Sequence, residues 1–181
     1  MHYNCLIITK EFPTDEVLAE VLKPYNWEEK EEGEYPPFTW DWWQVGGRYN
    51  GMLKLTINEN DEKYRWGYYA REPRKDTLFR SYLLDKMSGF AGRSFMYREE
   101  DYYPSMGGRD DFLYVDGALI EDIKNLSEVT CYCCVDKDGK AYSRDSWNGE
   151  EYIHNDNFDE QFSNVLADSK GCYVCIVDLH D

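Results

Sequence analysis

The sequence predicts an α+β domain, a largely antiparallel sheet carrying two to four helices. Three observations lead there. Apolar runs of strand length open and close the chain at 3–9 and 172–179, and stretches with helical spacing fall between strand-like segments. Late in the chain an Asp-Gly turn separates two short strand-like runs. The order read from these signals, β-α-β-β-α-loop-β-β-α-β, is neither strict alternation nor all-β, and a ferredoxin-like duplication is one arrangement it admits. A length of 181 residues suits a single domain over 1–181, with long loops expected at about 24–39 and 97–116.

Taken in order, residues 3–9 read as a buried strand. Thr14 then caps a helix with Asp15 and Glu16 in its positive first turn and an apolar stripe of Val17, Leu18, Val21 and Leu22, stopped by Pro24. The run EEKEEGE at 28–34 reads as a solvated loop. Residues 52–57 alternate as a strand, and 64–70 return as an aromatic strand, together a hairpin. Asp76 or Thr77 caps a helix that turns Leu78, Phe79, Tyr82, Leu83 and Met87 inward and ends at Gly89. The Tyr-, Gly- and Asp-rich stretch 97–116 reads as a loop that holds a second Gly-Gly-Arg at 107–109. Residues 118–126 have helical spacing at Leu119, Ile123 and Leu126. Residues 129–135 and 140–144 form a hairpin around Asp138-Gly139, and Asn157 with Glu160 resembles a capping box ahead of Phe158, Phe162, Val165 and Leu166. A strand at 172–179 ends the chain.

Thirty-six acids against twenty bases leave a net charge of −16, which disfavours direct nucleic-acid binding and favours a basic partner. Mean hydropathy is −0.76 and no apolar run reaches membrane-spanning length, so no membrane association is expected. With no export signal read, the expected address is cytoplasmic and the six cysteines are expected to be reduced. Cys131, Cys133, Cys134, Cys172 and Cys175 fall in apolar segments. Cys172 and Cys175, three apart in a β-type run, point to opposite faces, so the expected reading is core thiols rather than a metal site.

The densest stretch is 40–51, WDWWQVGGRYNG, with three tryptophans and three glycines. Glycine pairs permit positive φ and close approach, and an arginine just after them offers a planar fork to an anion. Two readings stay open. In one, Trp42, Trp43, Gly46, Gly47, Arg48 and Tyr49 bind a ligand; in the other, the glycines make a bulge or tight turn before the next strand while Arg48 pairs Asp41. A second basic and aromatic run, YRWGYYAR at 64–71, puts Arg65, Trp66 and Arg71 among the ligand-binding candidates, because rings and guanidinium groups stack on and neutralise a nucleotide. Its alternative has the rings facing the core and the arginines pairing with acids. Between Lys63 and Arg98 there are nine Lys or Arg and three acids, so the remainder of the chain is strongly acidic. Asp178 and His180 share one face of the last strand, and His2 would join them if the terminal strands pair. That is the sole metal or acid-base constellation, with a polar surface as its plain alternative. No Walker A loop or dinucleotide glycine fingerprint occurs, and no cofactor is expected.

The stretch WDWWQVGGRY at 40–49 resembles the W-D-W-Y-x-I-G-G-R-W segment of a largely uncharacterised family of proteins carried by phages, prophages and bacteria. Leu22-Lys23-Pro24-Tyr25-Asn26 ahead of an acidic run, Asp138-Gly139 in a late hairpin, and the terminal Val177-Asp178-x-His180 look similar too. The chain departs from the pattern at 140–142, where the family has tryptophan, and at Leu179, where it has cysteine, which argues against a thiol chemistry there. The resemblance implies a mobile-element setting, in which small acidic proteins often act in counter-defence. The expected function is therefore a phage-type anti-defence binding protein that sequesters a small nucleotide-like anionic signal in a bacterial host cell, rather than an enzyme. The alternative is an acidic inhibitor, of the anti-CRISPR kind, that presents Glu28, Glu29, Glu31 and Glu32 to the basic channel of a defence nuclease. A third reading is a metal-assisted hydrolase built on Asp178, His180 and His2.

Overall fold

A computed structural model describes residues 1–31, 33–49, 52–56 and 112–181. The expected return strand at 64–70, the helix beginning at Asp76 or Thr77, the second Gly-Gly-Arg, and the candidates Glu32, Arg65, Trp66 and Arg71 lie outside the described residues.

The fold is α+β. Strand β1 (His2–Thr9) forms because Cys5, Leu6, Ile7 and Ile8 make a continuous apolar run, the pattern of a strand covered on both faces. Strand β10 (Tyr173–His180), with every residue from Val174 to Leu179 buried, has the same character and lies antiparallel beside it, His2 opposite His180 and Asn4 opposite Asp178. Around this central pair the sheet runs in the order β2 (Trp42–Val45), β10, β1, β6 (Cys133–Val135), β7 (Ala141–Ser143), and only the β1–β6 pairing is parallel among the described strands. The free edge of β10 is shared. Strand β2 covers Val177 to His180, and β5 (Gly117–Leu119) covers Tyr173 to Cys175.

This order is not ferredoxin-like. In that arrangement the two parallel strands of a βαβ unit are split by another strand, whereas here β6 hydrogen-bonds directly to β1. The hairpin of β6 and β7 is as expected: Gly139 takes φ +84, and Asp136 Oδ1 accepts from the backbone N–H groups of Asp138 and Lys140 at 2.9 Å each. A second hairpin, β8 (Asp145–Trp147) with β9 (Tyr152–His154), stands apart from the main sheet.

Helix α1 (Asp15–Leu22) starts at Thr14, whose hydroxyl accepts from the Val17 N–H at 3.3 Å, and buries Leu18 and Leu22 one turn apart. Helix α2 (Phe158–Ala167) buries Phe158, Phe162 and Val165. Its expected cap is not used. Asn157 sits at φ −95, ψ 4, outside the extended geometry that aims a capping side chain, and makes no such bond. Asn155 organises that end instead: its carbonyl accepts from the Phe158 N–H, and its side chain bridges the Ser143 carbonyl and Gln161.

Two further expectations are corrected. Residues 118–126 form no α-helix; Leu119 belongs to β5, and single 3-10 turns follow at Ile120–Asp122 and Leu126–Glu128. Leu119 is drawn into the sheet because β10 has an open edge there, and backbone pairing on that edge outweighs a short apolar spacing. In the stretch expected as loop, Phe112–Val115 forms β4, antiparallel to β3 (Leu53–Thr56) with Leu53 opposite Val115. Among the described helices none is long and apolar enough to cross a membrane.

Candidate functional site

Each polar residue at the carboxyl end of β10 is placed by strand alternation. With His2 opposite His180, Asn4 opposite Asp178 and Gln44 opposite Asp178 across β2, one sheet face gathers His2, Asn4, Gln44, Asp178 and His180. Asp178 is the centre. Its side chain is 2% exposed, and both oxygens are held: His2 Nδ1 donates to Oδ1 at 3.0 Å, and the Arg48 backbone N–H donates to Oδ2 at 2.9 Å. A parallel pair sits beside it, with His180 Nδ1 donating to Asp41 Oδ1 at 2.7 Å. That hydrogen bond holds the Asp41 carboxyl below its ordinary value. The two imidazoles meet edge to face with centroids 4.8 Å apart, and Trp42 stands edge-on to His2 at 6.2 Å.

The glycine pair is what makes this cluster possible. Gly46 and Gly47 adopt φ +67 and +53, and the chain then turns through a short 3-10 segment, Gly47–Tyr49. A Cβ on Gly46 would fall 2.5 Å from the Asp116 carboxylate, and one on Gly47 would fall 2.5 Å from Asp178. Successive left-handed residues let two buried carboxylates close on the backbone, and they direct the Arg48 N–H at one of them. Gly46 and Asp116 also take the two backbone groups of Ile176, where the β10 edge passes from β2 to β5.

The candidates of this stretch therefore separate. The tight-turn reading of Gly46 and Gly47 accounts for their geometry. Its corollary, Arg48 paired with Asp41, does not hold, because Asp41 is taken by His180 and the Arg48 side chain is exposed. Trp42 and Trp43 are neighbours on a strand and point to opposite faces: Trp42 is 46% exposed beside His2, while Trp43 packs against the core. Tyr49 donates its hydroxyl to the His2 carbonyl at 3.1 Å. Burial raises the Tyr49 hydroxyl above its ordinary value, the Asp178 charge adds to this, and the Arg48 guanidinium opposes it.

His2 and Tyr49 also line a cleft of about 1090 Å³ between the segment 27–39 and the β8–β9 hairpin. Its walls are aromatic, chiefly Trp27, Tyr35, Phe38, Tyr132, Trp147 and Tyr152, with Tyr3 below. Trp147 and Tyr152 face each other across the hairpin at 5.1 Å, and Gly149 at its tip comes so close to Tyr35 that a Cβ would lie 2.8 Å from that ring. Lys30 lies over the Trp27 ring at 4.7 Å and near Tyr35. Burial and the adjacent Asp145 carboxylate push the Tyr132 hydroxyl up to about 12, so it stays a donor at neutral pH. Sequence reasoning missed this cleft. The signal available was the aromatic content, 17% of residues, but the cleft's rings come from five separate segments.

Glu28, Glu29 and Glu31 are exposed beside Trp27. All six cysteines are reduced and buried. Among the described residues no group of three or more His, Cys, Asp or Glu side chains is arranged to hold a metal ion. No family model, curated protein or solved structure matches the chain.

Proposed function

We propose that the protein is a binding protein that takes a small, ring-bearing, nucleotide-like ligand into the aromatic cleft. The observation that carries this reading is the cleft itself: about 1090 Å³, lined by eight aromatic side chains, with Trp27, Tyr35, Trp147 and Tyr152 each more than a third exposed. Apolar rings left in water cost free energy that a stacking ligand recovers, and base–aromatic stacking contributes roughly 1–3 kcal/mol per base. Lys30, above Trp27 in the cleft wall, supplies positive charge for an anionic group. The resemblance of 40–49 to phage and prophage proteins supports a role in counter-defence, as sequestration of a signal in the cytoplasm of a bacterial host. Tryptophan fluorescence and calorimetry against linear and cyclic nucleotides test the reading. Saturable binding weakened about tenfold by Trp147→Ala or Tyr35→Ala is expected, at the lower end of that stacking range; no binding to any member of the panel would sink it.

A second reading is favoured by one observation, the exposed Trp27 flanked by exposed Glu28, Glu29 and Glu31. An aromatic anchor within an acidic rim suits contact with a basic protein surface, such as the nucleic-acid channel of a defence nuclease. Under it, changing the three glutamates to glutamine slows association most at low salt while nucleotide titrations stay silent.

A further inference from the structure

We infer that the polar end of the sheet is a catalytic site in which His2 and His180 act as base and acid on a small ribonucleotide phosphodiester held in the cleft. The inference rests on the nucleotide-binding reading above. Two imidazoles in edge contact, each with Nδ1 anchored on its own carboxylate, keep Nε2 as the working nitrogen, and among the described residues no hydrogen bond engages either Nε2. Asp178 is buried with its second oxygen pinned by a backbone N–H, so it fixes the His2 ring and its tautomer rather than competing for ligand. His2 lines the cleft and the His180 side chain is 40% exposed. If this were packing alone, a buried carboxylate beside two histidines would be a costly choice over apolar side chains of similar size.

A ribonucleotide phosphodiester carries its own nucleophile, so one base and one acid suffice. His2 Nε2 takes the proton of the 2′-hydroxyl, and the 2′-oxygen bonds to the adjacent phosphorus. The bond from phosphorus to the 5′-oxygen breaks, and protonated His180 gives its Nε2 proton to that oxygen. The products are a 2′,3′-cyclic phosphate and a free 5′-hydroxyl; no oxidant, reductant or water is consumed, and proton exchange with solvent resets both rings. Trp42, exposed beside His2, offers a face to a base.

The test uses the full chain with the 3′–5′ dinucleotide ApA and its 2′-deoxy analogue, EDTA present, products read by chromatography and mass spectrometry, and binding read by tryptophan quenching. Both dinucleotides are expected to bind and ApA alone to yield adenosine and adenosine 2′,3′-cyclic phosphate. His2→Gln and His180→Gln are each expected to slow cleavage at least about 100-fold, with binding and circular dichroism kept. Binding without cleavage overturns the catalytic inference and leaves the binding reading standing; binding of neither dinucleotide overturns the catalytic inference alone, since the binding reading falls only with the whole nucleotide panel. Cleavage of the deoxy analogue at equal rate, cleavage that appears only with added divalent metal, or cleavage that survives in both histidine variants also overturns it.

Discussion

Replacing Gly47 with alanine puts the close approach of Asp178 to the backbone under direct test. At φ +53 the added Cβ would lie 2.5 Å from both Cβ and Oδ2 of Asp178 and 2.9 Å from its Cγ. The left-handed conformation alone costs an L residue roughly 1–2 kcal/mol. Relief of the collision requires Asp178 to move away from the Arg48 N–H, and a hydrogen bond to a charged group contributes about 1.5–3 kcal/mol. The sum is roughly 2.5–5 kcal/mol, a large share of a typical domain's stability, and lowers Tm by about 5–20 °C for a chain of this length. Gly139→Ala is the matched control. Gly139 has φ +84 but nothing within 4 Å of its would-be Cβ, so only the backbone cost of roughly 1–2 kcal/mol applies. Urea unfolding of both variants, followed by tryptophan fluorescence, measures the difference. A Gly47→Ala loss no larger than that of Gly139→Ala would refute the argument that the second glycine is there to admit the carboxylate.

Three further outcomes follow from the same geometry. Asp178→Asn keeps the shape but turns one acceptor into a donor opposite His2 or the Arg48 N–H, and a loss of about 1–3 kcal/mol is expected in urea unfolding; an unchanged midpoint would show that the carboxylate is not held as described. His154 is raised above 6.5, chiefly by its hydrogen bond to Asp145 across the β8–β9 hairpin. Its charged form is thus favoured in the fold, and the contribution is fully present below pH 6.5 and lost as pH rises through the raised value. NMR titration should show the His154 pKa fall in Asp145→Asn. Burial pushes the Cys131, Cys133, Cys134 and Cys175 thiols up, so Ellman's reagent is expected to label the native protein slowly and all six thiols promptly in guanidinium.

Local sequence determined those features whose causes act within a few residues. The apolar runs at either end of the chain could only be covered strands, Thr14 had the right side chain before an acidic first turn, Asp136 to Gly139 had turn chemistry, and Gly46-Gly47 announced positive φ. Periodicity also placed Asp178 and His180 on one face, and it needed only the pairing of the terminal strands to bring in His2. Tertiary structure decided the rest. Among the described strands β3 pairs with β4, remote in sequence, because strand pairing is settled by burial and hydrogen-bond satisfaction that no local window contains. Asp116, one residue beyond β4, reaches Gly46 only because β2 and β5 share an edge of β10, and Asp41 meets His180 rather than Arg48 through the register of β2 on that edge. Trp27, Tyr35, Tyr132, Trp147 and Tyr152 carry no local periodicity that marks a cleft. They form one because separate connections converge at the start of β1, and convergence is a property of the packed chain that no window of sequence contains.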